Sequence, residues 1–266
     1  MKILSGKELR PILKKRILKE LEDTKISFYL YSNKEDFPSQ AYLRGIKKTL
    51  DLFLISYEEG FIDLSLSKEE NLDRFQKESK GHSILMARPL HVDYEDDFLK
   101  RIPSNGDPDM LTVENRGKLF GGDLSYLTAT SQSVKCILEE YKIDVAGKKA
   151  VIIGRSTEVG YPCFQLMNKK NAAATLLHSK IDQKTMCEYV QNADIVIFAT
   201  GKSGLIPREC FHSNQIIIDC GFNPQGGDLG FIPTDNEFAA YTPVPGGVGA
   251  LTSYCLLLNA IHLKKN

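Results

Sequence analysis

Six short runs of apolar, mostly β-branched or aromatic residues punctuate the chain: 26–31 (ISFYLY), 83–88 (SILMAR), 149–154 (KAVIIG), 173–178 (AATLLH), 193–199 (ADIVIFA) and 215–221 (QIIIDCG). Between most of them lie stretches with apolar positions at helical spacing, at 39–56, 67–79, 158–169 and 182–191. Apolar runs alternating with such helices predict buried parallel strands in βαβ units. The pattern breaks at NRGKLFGGDLSYLTATSQ, where Gly117, Gly121, Gly122 and a cluster of hydroxyl residues intervene, and a helix over about 131–142 resumes it. The reading is α/β, with two α/β lobes: residues 1–122 with 250–266, and 123–249 with the connecting helix. The last helix starts near Val248, and its apolar face (LTSYCLLLNAI) needs a partner, so it returns to the first lobe.

Composition narrows the function classes. With 34 basic and 34 acidic residues among 266, nothing favours nucleic acid or an anionic membrane surface. No apolar run approaches the ~20 residues that span a bilayer. The opening MKILSGKELRPILKKRILKELEDTK reads as an amphipathic charged helix and not a signal peptide, because no apolar stretch follows its basic residues. Cysteines 136, 163, 187, 210, 220 and 255 form no CxxC pair, and histidines 82, 91, 178, 212 and 262 show no ligand spacing. This suits a cytoplasmic protein with scattered reduced cysteines, no disulfide framework and no metal.

The segment KAVIIGRSTEVGYP carries the first chemical signal. A strand ending in glycine and running into a helix start is where doubly wound folds bind phosphates. Gly154 and Gly160 replace the usual G-x-G-x-x-G, so a tight turn without ligand is the bland alternative. Arg155 and Ser156 shift the weight, because a guanidinium beside a hydroxyl suits a 2′-phosphate. After the next strand, Ser179 and Lys180 stand where NAD enzymes place an acid for the ribose. The cofactor expected is therefore NADP, with a solvated surface lysine as the alternative for Lys180.

Together, GRSTEVGYP, ADIVIFATGK, IIIDCGFN and YTPVPGGVGALT resemble the methylenetetrahydrofolate dehydrogenase / methenyltetrahydrofolate cyclohydrolase family of one-carbon metabolism. The likeness extends to SGKELRPILKKRI and SQAY. It implies a homodimer whose first lobe binds tetrahydrofolate derivatives and whose second, Rossmann-like lobe binds NAD(P), with folate between lobes. It further implies that the segment from Asp219 to Gly221 lies by the nicotinamide and that Pro245, Gly246 and Gly247 line the cleft. By the same likeness Tyr42 stacks on the aminobenzoyl ring and Asp109 hydrogen-bonds the pterin. The bland alternatives are an edge tyrosine and a turn-forming aspartate.

The first lobe departs from the family pattern. Ser39, which can cap a helix, and Tyr42 match, but Ile46 stands where the catalytic lysine is expected. Ala87 replaces a glutamine, His91 a proline and Met110 a glycine, while Asp107, Asp109, Asn115 and Gly117 persist; of a later Pro-Cys-Thr-Pro block only Thr130 remains, with Ser131 and Ser133 nearby. Lys47 is rotated ~100° from Ile46 along a helix, away from the Tyr42 face. Arg44 and Arg88 are basic but poor proton shuttles, and Arg88 is a candidate for a folate carboxylate or the cofactor. Three readings stay open: an NADP-dependent dehydrogenase with cyclohydrolase activity weak or lost, a degenerate relative acting by association, and a fully bifunctional enzyme. A Rossmann dehydrogenase for another substrate is disfavoured by TPVPGGVG.

Overall fold

A computed structural model describes residues 1–222 and 226–265 of the chain. Asn223, at the end of the IIIDCGFN motif, and Asn266, at the end of the expected first lobe, lie outside the described residues. The chain opens on β1 (Lys2–Ile3) and α1 (Gly6–Asp23). It then divides into two compact units.

One unit comprises residues 13–118 and those from 256 on. It holds β2 (Phe28–Ser32), α2 (Phe37–Leu52), β3 (Tyr57–Phe61), α3 (Lys68–Glu78), β4 (Ser83–Met86), α4 (Glu95–Arg101) and most of α5 (Val113–Phe120). Its strands form a parallel sheet in the order β3-β2-β4. Every residue of the central β2 is buried, which is why its sequence is apolar or aromatic up to Ser32. Within it Tyr31 packs on Phe75 and Phe98, its ring centroid 4.8 and 5.2 Å from theirs. The hydropathy pattern missed β3: it is an edge strand reading YEEGF, with Glu58 and Glu59 exposed. Its ladder bonds to β2, not its side chains, make it a strand.

The other unit comprises residues 1–12 and 119–255. It holds α6 (Ala129–Glu140), β5 (Lys149–Ile153), α7 (Gly160–Lys169), β6 (Ala173–Leu177), α8 (Gln183–Gln191), β7 (Ile195–Phe198), β8 (Ile216–Asp219) and β9 (Ala240–Tyr241). Its sheet runs β1-β9-β8-β7-β5-β6, all pairs parallel. The hydropathy pattern placed residues 1–12 with the first lobe. They join the second unit because Lys2 and Ile3 pair with Ala240 and Tyr241, and two exposed residues leave no apolar run to read. After β9 the last helix, α9 (Thr252–Lys265), passes from one unit to the other. In the first unit Asn259 Nδ2 donates to Pro108 O (2.9 Å) and Lys264 Nζ to Gly81 O (2.9 Å).

The cysteine expectation needs correction. Cys187 and Cys210 form a disulfide, whereas Cys136, Cys163, Cys220 and Cys255 are not disulfide-bonded. Spacing could not reveal this pair, because 23 residues separate the two and the packing of α8 on the turn at Arg208–Cys210 joins them. In guanidinium without reductant, thiol titration should therefore find four reactive groups, against six after reduction. Six before reduction would refute the bond. Among the described residues, no helix is long and apolar enough to cross a membrane, and no group of three or more His, Cys, Asp or Glu could hold a metal.

Candidate active site

In the first unit the predicted residues sit on α2 and on the loop before α5. The sequence offered Ser39 as the helix cap; the structure gives that role to Asp36. Its Oδ2 accepts the Ser39 N–H (2.9 Å) and its Oδ1 meets His91 Nε2 (2.9 Å). Hydrogen bonds from Ser39 and then His91 hold the Asp36 carboxyl at about 2. Ser39 instead donates its hydroxyl to Arg88 O (3.3 Å), stitching α2 to the loop after β4.

Tyr42 is 44% exposed. Desolvation around its hydroxyl and then the Asp109 charge push the phenol above its ordinary range, so Tyr42 and Asp109 share one surface. Asp109 is displayed by the turn that Met110 N–H closes on Asp107 O (3.1 Å). The Asp107 carboxylate accepts from Leu111 N–H (2.9 Å), Thr112 N–H (2.8 Å), Thr112 O–H (2.7 Å) and Asn115 Nδ2 (2.9 Å). Burial nevertheless pushes its pKa up. Asp107 and Asn115 are thus scaffold for the turn that presents Asp109. Met110, where the family pattern has glycine, takes a left-handed conformation at φ 57° with its side chain fully buried. The left-handed backbone costs about 1–2 kcal/mol, which burial of a methionine side chain, worth about 1.5–3 kcal/mol, offsets.

Ile46 is 4% exposed and lies in the buried stripe of α2 with Ser39, Leu43 and Leu50. Lys47 points elsewhere, its ammonium paired with Glu59 of β3. Ala87 is buried, with its N–H on Tyr31 O (2.8 Å). Arg88, a candidate for a ligand carboxylate, pairs with Glu95, so its charge is already matched. Ser131 and Ser133 spend their hydroxyls on Thr128 O (3.0 Å) and Ala129 O (2.8 Å) within α6 and its cap.

In the second unit the predicted residues gather at the carboxyl ends of the parallel strands. Gly154 follows β5 with φ 122°, and a Cβ there would lie 2.0 Å from Ala199 O. A Cβ on Gly160, which opens α7, would lie 2.0 Å from Gly154 O. The turn therefore folds on itself only because both positions lack a side chain. Arg155 and Ser156 between them are exposed, and among the described residues the Arg155 side chain makes no hydrogen bond or ion pair. Ser156 Oγ accepts the Val159 N–H (3.2 Å), which leaves its own O–H to donate. The turn after β6 is adjacent, since Ile153 and Leu177 are partners, and it carries the exposed Ser179 and Lys180.

Asp219 ends β8 and is 2% exposed. Its carboxylate accepts from Gly221 N–H (2.8 Å), Leu229 N–H (2.9 Å) and Asp228 N–H (3.0 Å), so it orders the following loop and does not face solvent. Burial raises its pKa against those bonds. Gly246 O accepts the Lys7 N–H (3.1 Å), and Gly247 O lies 2.1 Å from where a Cβ on Gly6 would stand. The Pro245–Gly247 turn is thereby seated on the start of α1. Sequence reasoning missed Asp228 and Thr200, which bond to each other in this region; the only available signal was an aspartate following Gly226 and Gly227. A cavity of about 590 Å³ in the first unit, rimmed by Lys34, Asp63 and Arg74 among others, contains neither Tyr42 nor Asp109.

Comparison with known proteins accords with these observations. Residues 128–266 match the tetrahydrofolate dehydrogenase/cyclohydrolase NAD(P)-binding domain. The bifunctional protein FolD of Clostridium acetobutylicum is 34% identical over 241 residues, spanning 87% of this chain and 85% of the relative. The fold is similar to that of the Campylobacter jejuni bifunctional enzyme FolD, with TM-score 0.91, 27% identity and 100% and 99% of the two chains covered. It is also similar to the Trypanosoma brucei dehydrogenase-cyclohydrolase solved with NADP and an inhibitor, with TM-score 0.83, 26% identity and 98% and 96% covered. Whole-length similarity to such relatives, added to the glycine-built turn and the Tyr42–Asp109 surface, means that the chain belongs to the tetrahydrofolate dehydrogenase/cyclohydrolase family.

Proposed function

We propose that this protein oxidises 5,10-methylenetetrahydrofolate to the methenyl form with NADP, and that its hydrolysis of the methenyl product is weak or absent. The dehydrogenase part rests on family membership and on a turn that fits the cofactor. Gly154 and Gly160 let the backbone of the turn lie close to a pyrophosphate, and the exposed Arg155, without a side-chain bond among the described residues, suits a 2′-phosphate together with the Ser156 hydroxyl. Bound there, NADP supplies the hydride acceptor, and the protein's task is to hold donor and acceptor carbons in register. In this reading Tyr42 stacks on the folate and Asp109 anchors its pterin.

The observation that carries the loss of hydrolysis is Ile46, buried at the expected lysine position while Lys47 is held by Glu59. An aliphatic side chain neither takes nor gives a proton, and buried Ala87 offers no amide to steer one. A homodimeric state and a cytoplasmic location belong to the same proposal, by family likeness.

The test measures NADP reduction with methylenetetrahydrofolate and, separately, decay of methenyltetrahydrofolate absorbance. Reduction with slow decay is expected; no reduction overturns the dehydrogenase, and rapid decay overturns the loss of hydrolysis. Arg155→Ala should raise the KM for NADP about tenfold or more and leave that for NAD unchanged, since one charge-assisted contact is lost.

A further inference from the structure

At the carboxyl ends of β7 and β8, one buried carboxylate ties two loops together. Asp228 is fully buried. Its Oδ2 accepts from Thr200 N–H (2.7 Å), Thr200 O–H (2.9 Å) and Gly201 N–H (2.9 Å), all just past β7. Its backbone C=O takes the Gly204 N–H (3.0 Å), and its own N–H goes to Asp219 at the end of β8 (3.0 Å). The two aspartates also interlock with glycines. A Cβ on Gly221 would lie 2.1 Å from Asp228 Oδ1, and one on Gly227 would lie 2.2 Å from Asp219 Oδ2. Asp228 Oδ1 is buried with no hydrogen-bond partner among the described residues. Leaving a buried acceptor unpartnered is costly, and such groups persist where the surroundings over-determine them for another reason.

Position supplies the reason. Ligands of open α/β sheets lie outside the carboxyl ends of the strands. With phosphates at the turn between β5 and α7, the rest of a dinucleotide passes over β7 and β8, which follow β5 in the sheet. The loops that follow these strands begin with small residues, Thr200 and Gly201 after β7 and Gly221 after β8. Such loops hold a ring in place only if something behind them fixes both, and Asp228 is the group bonded to both.

We infer that Asp228 is a positioning residue that sets the loops after β7 and β8 against the nicotinamide end of the cofactor. This rests on the NADP-dependent reading above. A carboxylate with three donors on one oxygen acts through those loops without touching the reacting atoms, so its loss should disturb alignment for hydride transfer more than folate binding.

The experiment compares Asp228→Ala with the parent enzyme in kcat, KM for methylenetetrahydrofolate, thermal midpoint, and the kinetic isotope effect with substrate deuterated at the methylene carbon. The expected result is a fall in kcat of about 10²-fold, the usual consequence of misplacing reacting groups by about 1 Å. The folate KM should stay within about threefold and the isotope effect should rise as hydride transfer becomes limiting. A kcat within about threefold of the parent, or a loss matching the unfolded fraction with an unchanged isotope effect, overturns the assignment. Should Asp228→Ala not fold, Thr200→Val decides: it removes one donor, and kcat should fall about fivefold with a raised isotope effect, whereas no change in either overturns it. If the parent itself reduces no NADP, the functional reading fails on its own. NADP affinity by calorimetry then tests the latch, with about tenfold weaker binding by Asp228→Ala expected and equal affinity overturning it.

Discussion

Replacing Ile46 with lysine and Ala87 with glutamine should raise the rate of methenyltetrahydrofolate hydrolysis by about 10²–10⁴-fold, the range of a positioned general acid–base group. The geometry favours the gain because Tyr42 and position 46 are four apart on α2 and so lie on one side of it. A lysine at 46 can run its stem along the helix and lift its ammonium out of the apolar stripe. Glutamine at 87 would then give that ammonium a fixed acceptor. The single Ile46→Lys change should gain less, because an unsteered lysine is poorly preorganised. Burying a stem that ends in charge beside Leu43 and Leu50 should cost about 1–3 kcal/mol of stability, so the thermal midpoint is measured beside the absorbance decay. Lys47→Met serves as control and should leave hydrolysis as it was, since Lys47 is bound to Glu59. A folded double variant that hydrolyses no faster than the parent would show that the missing lysine is not what limits this reaction.

Gly160→Ala should weaken NADP binding by at least about 10²-fold, with little effect on the fold of the first unit. The new Cβ would lie 2.0 Å from Gly154 O, 2.5 Å from Gly154 C and 3.0 Å from Arg155 N, all backbone atoms. Gly154 cannot retreat, because its own Cα side faces Ala199 O at 2.0 Å from the Cβ position. The turn must therefore open, which carries Arg155, Ser156 and the start of α7 away from the phosphates together. A displacement of about 1 Å at such a contact is worth about 10². Gly45→Ala is the matching control: nothing lies within 4 Å of its Cβ position, and α2 should gain about 0.4–1 kcal/mol. Equal NADP affinity in Gly160→Ala and parent, measured by calorimetry, would show that the turn does not hold the cofactor.

Much of the fold was legible because buried parallel strands must be apolar on both faces. β2, β4, β5, β7 and β8 carry runs such as FYLYS and IVIF whose residues are almost all buried. The helices between them showed one apolar stripe each, as α2 does with Leu43, Ile46 and Leu50. β1, β3 and β9 were not legible. They are short or polar edge-side segments whose identity comes from ladder partners far along the chain. In the candidate site, glycines 154 and 160 stood out because a strand-to-helix turn has few sequence solutions. Asp228 did not stand out, since an aspartate after two glycines reads as an ordinary loop until Thr200 and Gly201 are seen to converge on it.

The sequence by itself determined the two α/β lobes, the turn between β5 and α7, and the absence of a lysine at position 46, because each is a local matter of period, side-chain size or residue identity. Tertiary structure alone decided which groups remain available. It matched Arg88 with Glu95 and Lys47 with Glu59, left Arg155 exposed and without an ion pair among the described residues, and buried Asp219 beneath three N–H groups. It also joined Cys187 to Cys210 and let Met110 take a left-handed conformation by burying its side chain. Pairing and burial depend on what the chain folds against each residue, and no spacing along the chain encodes that.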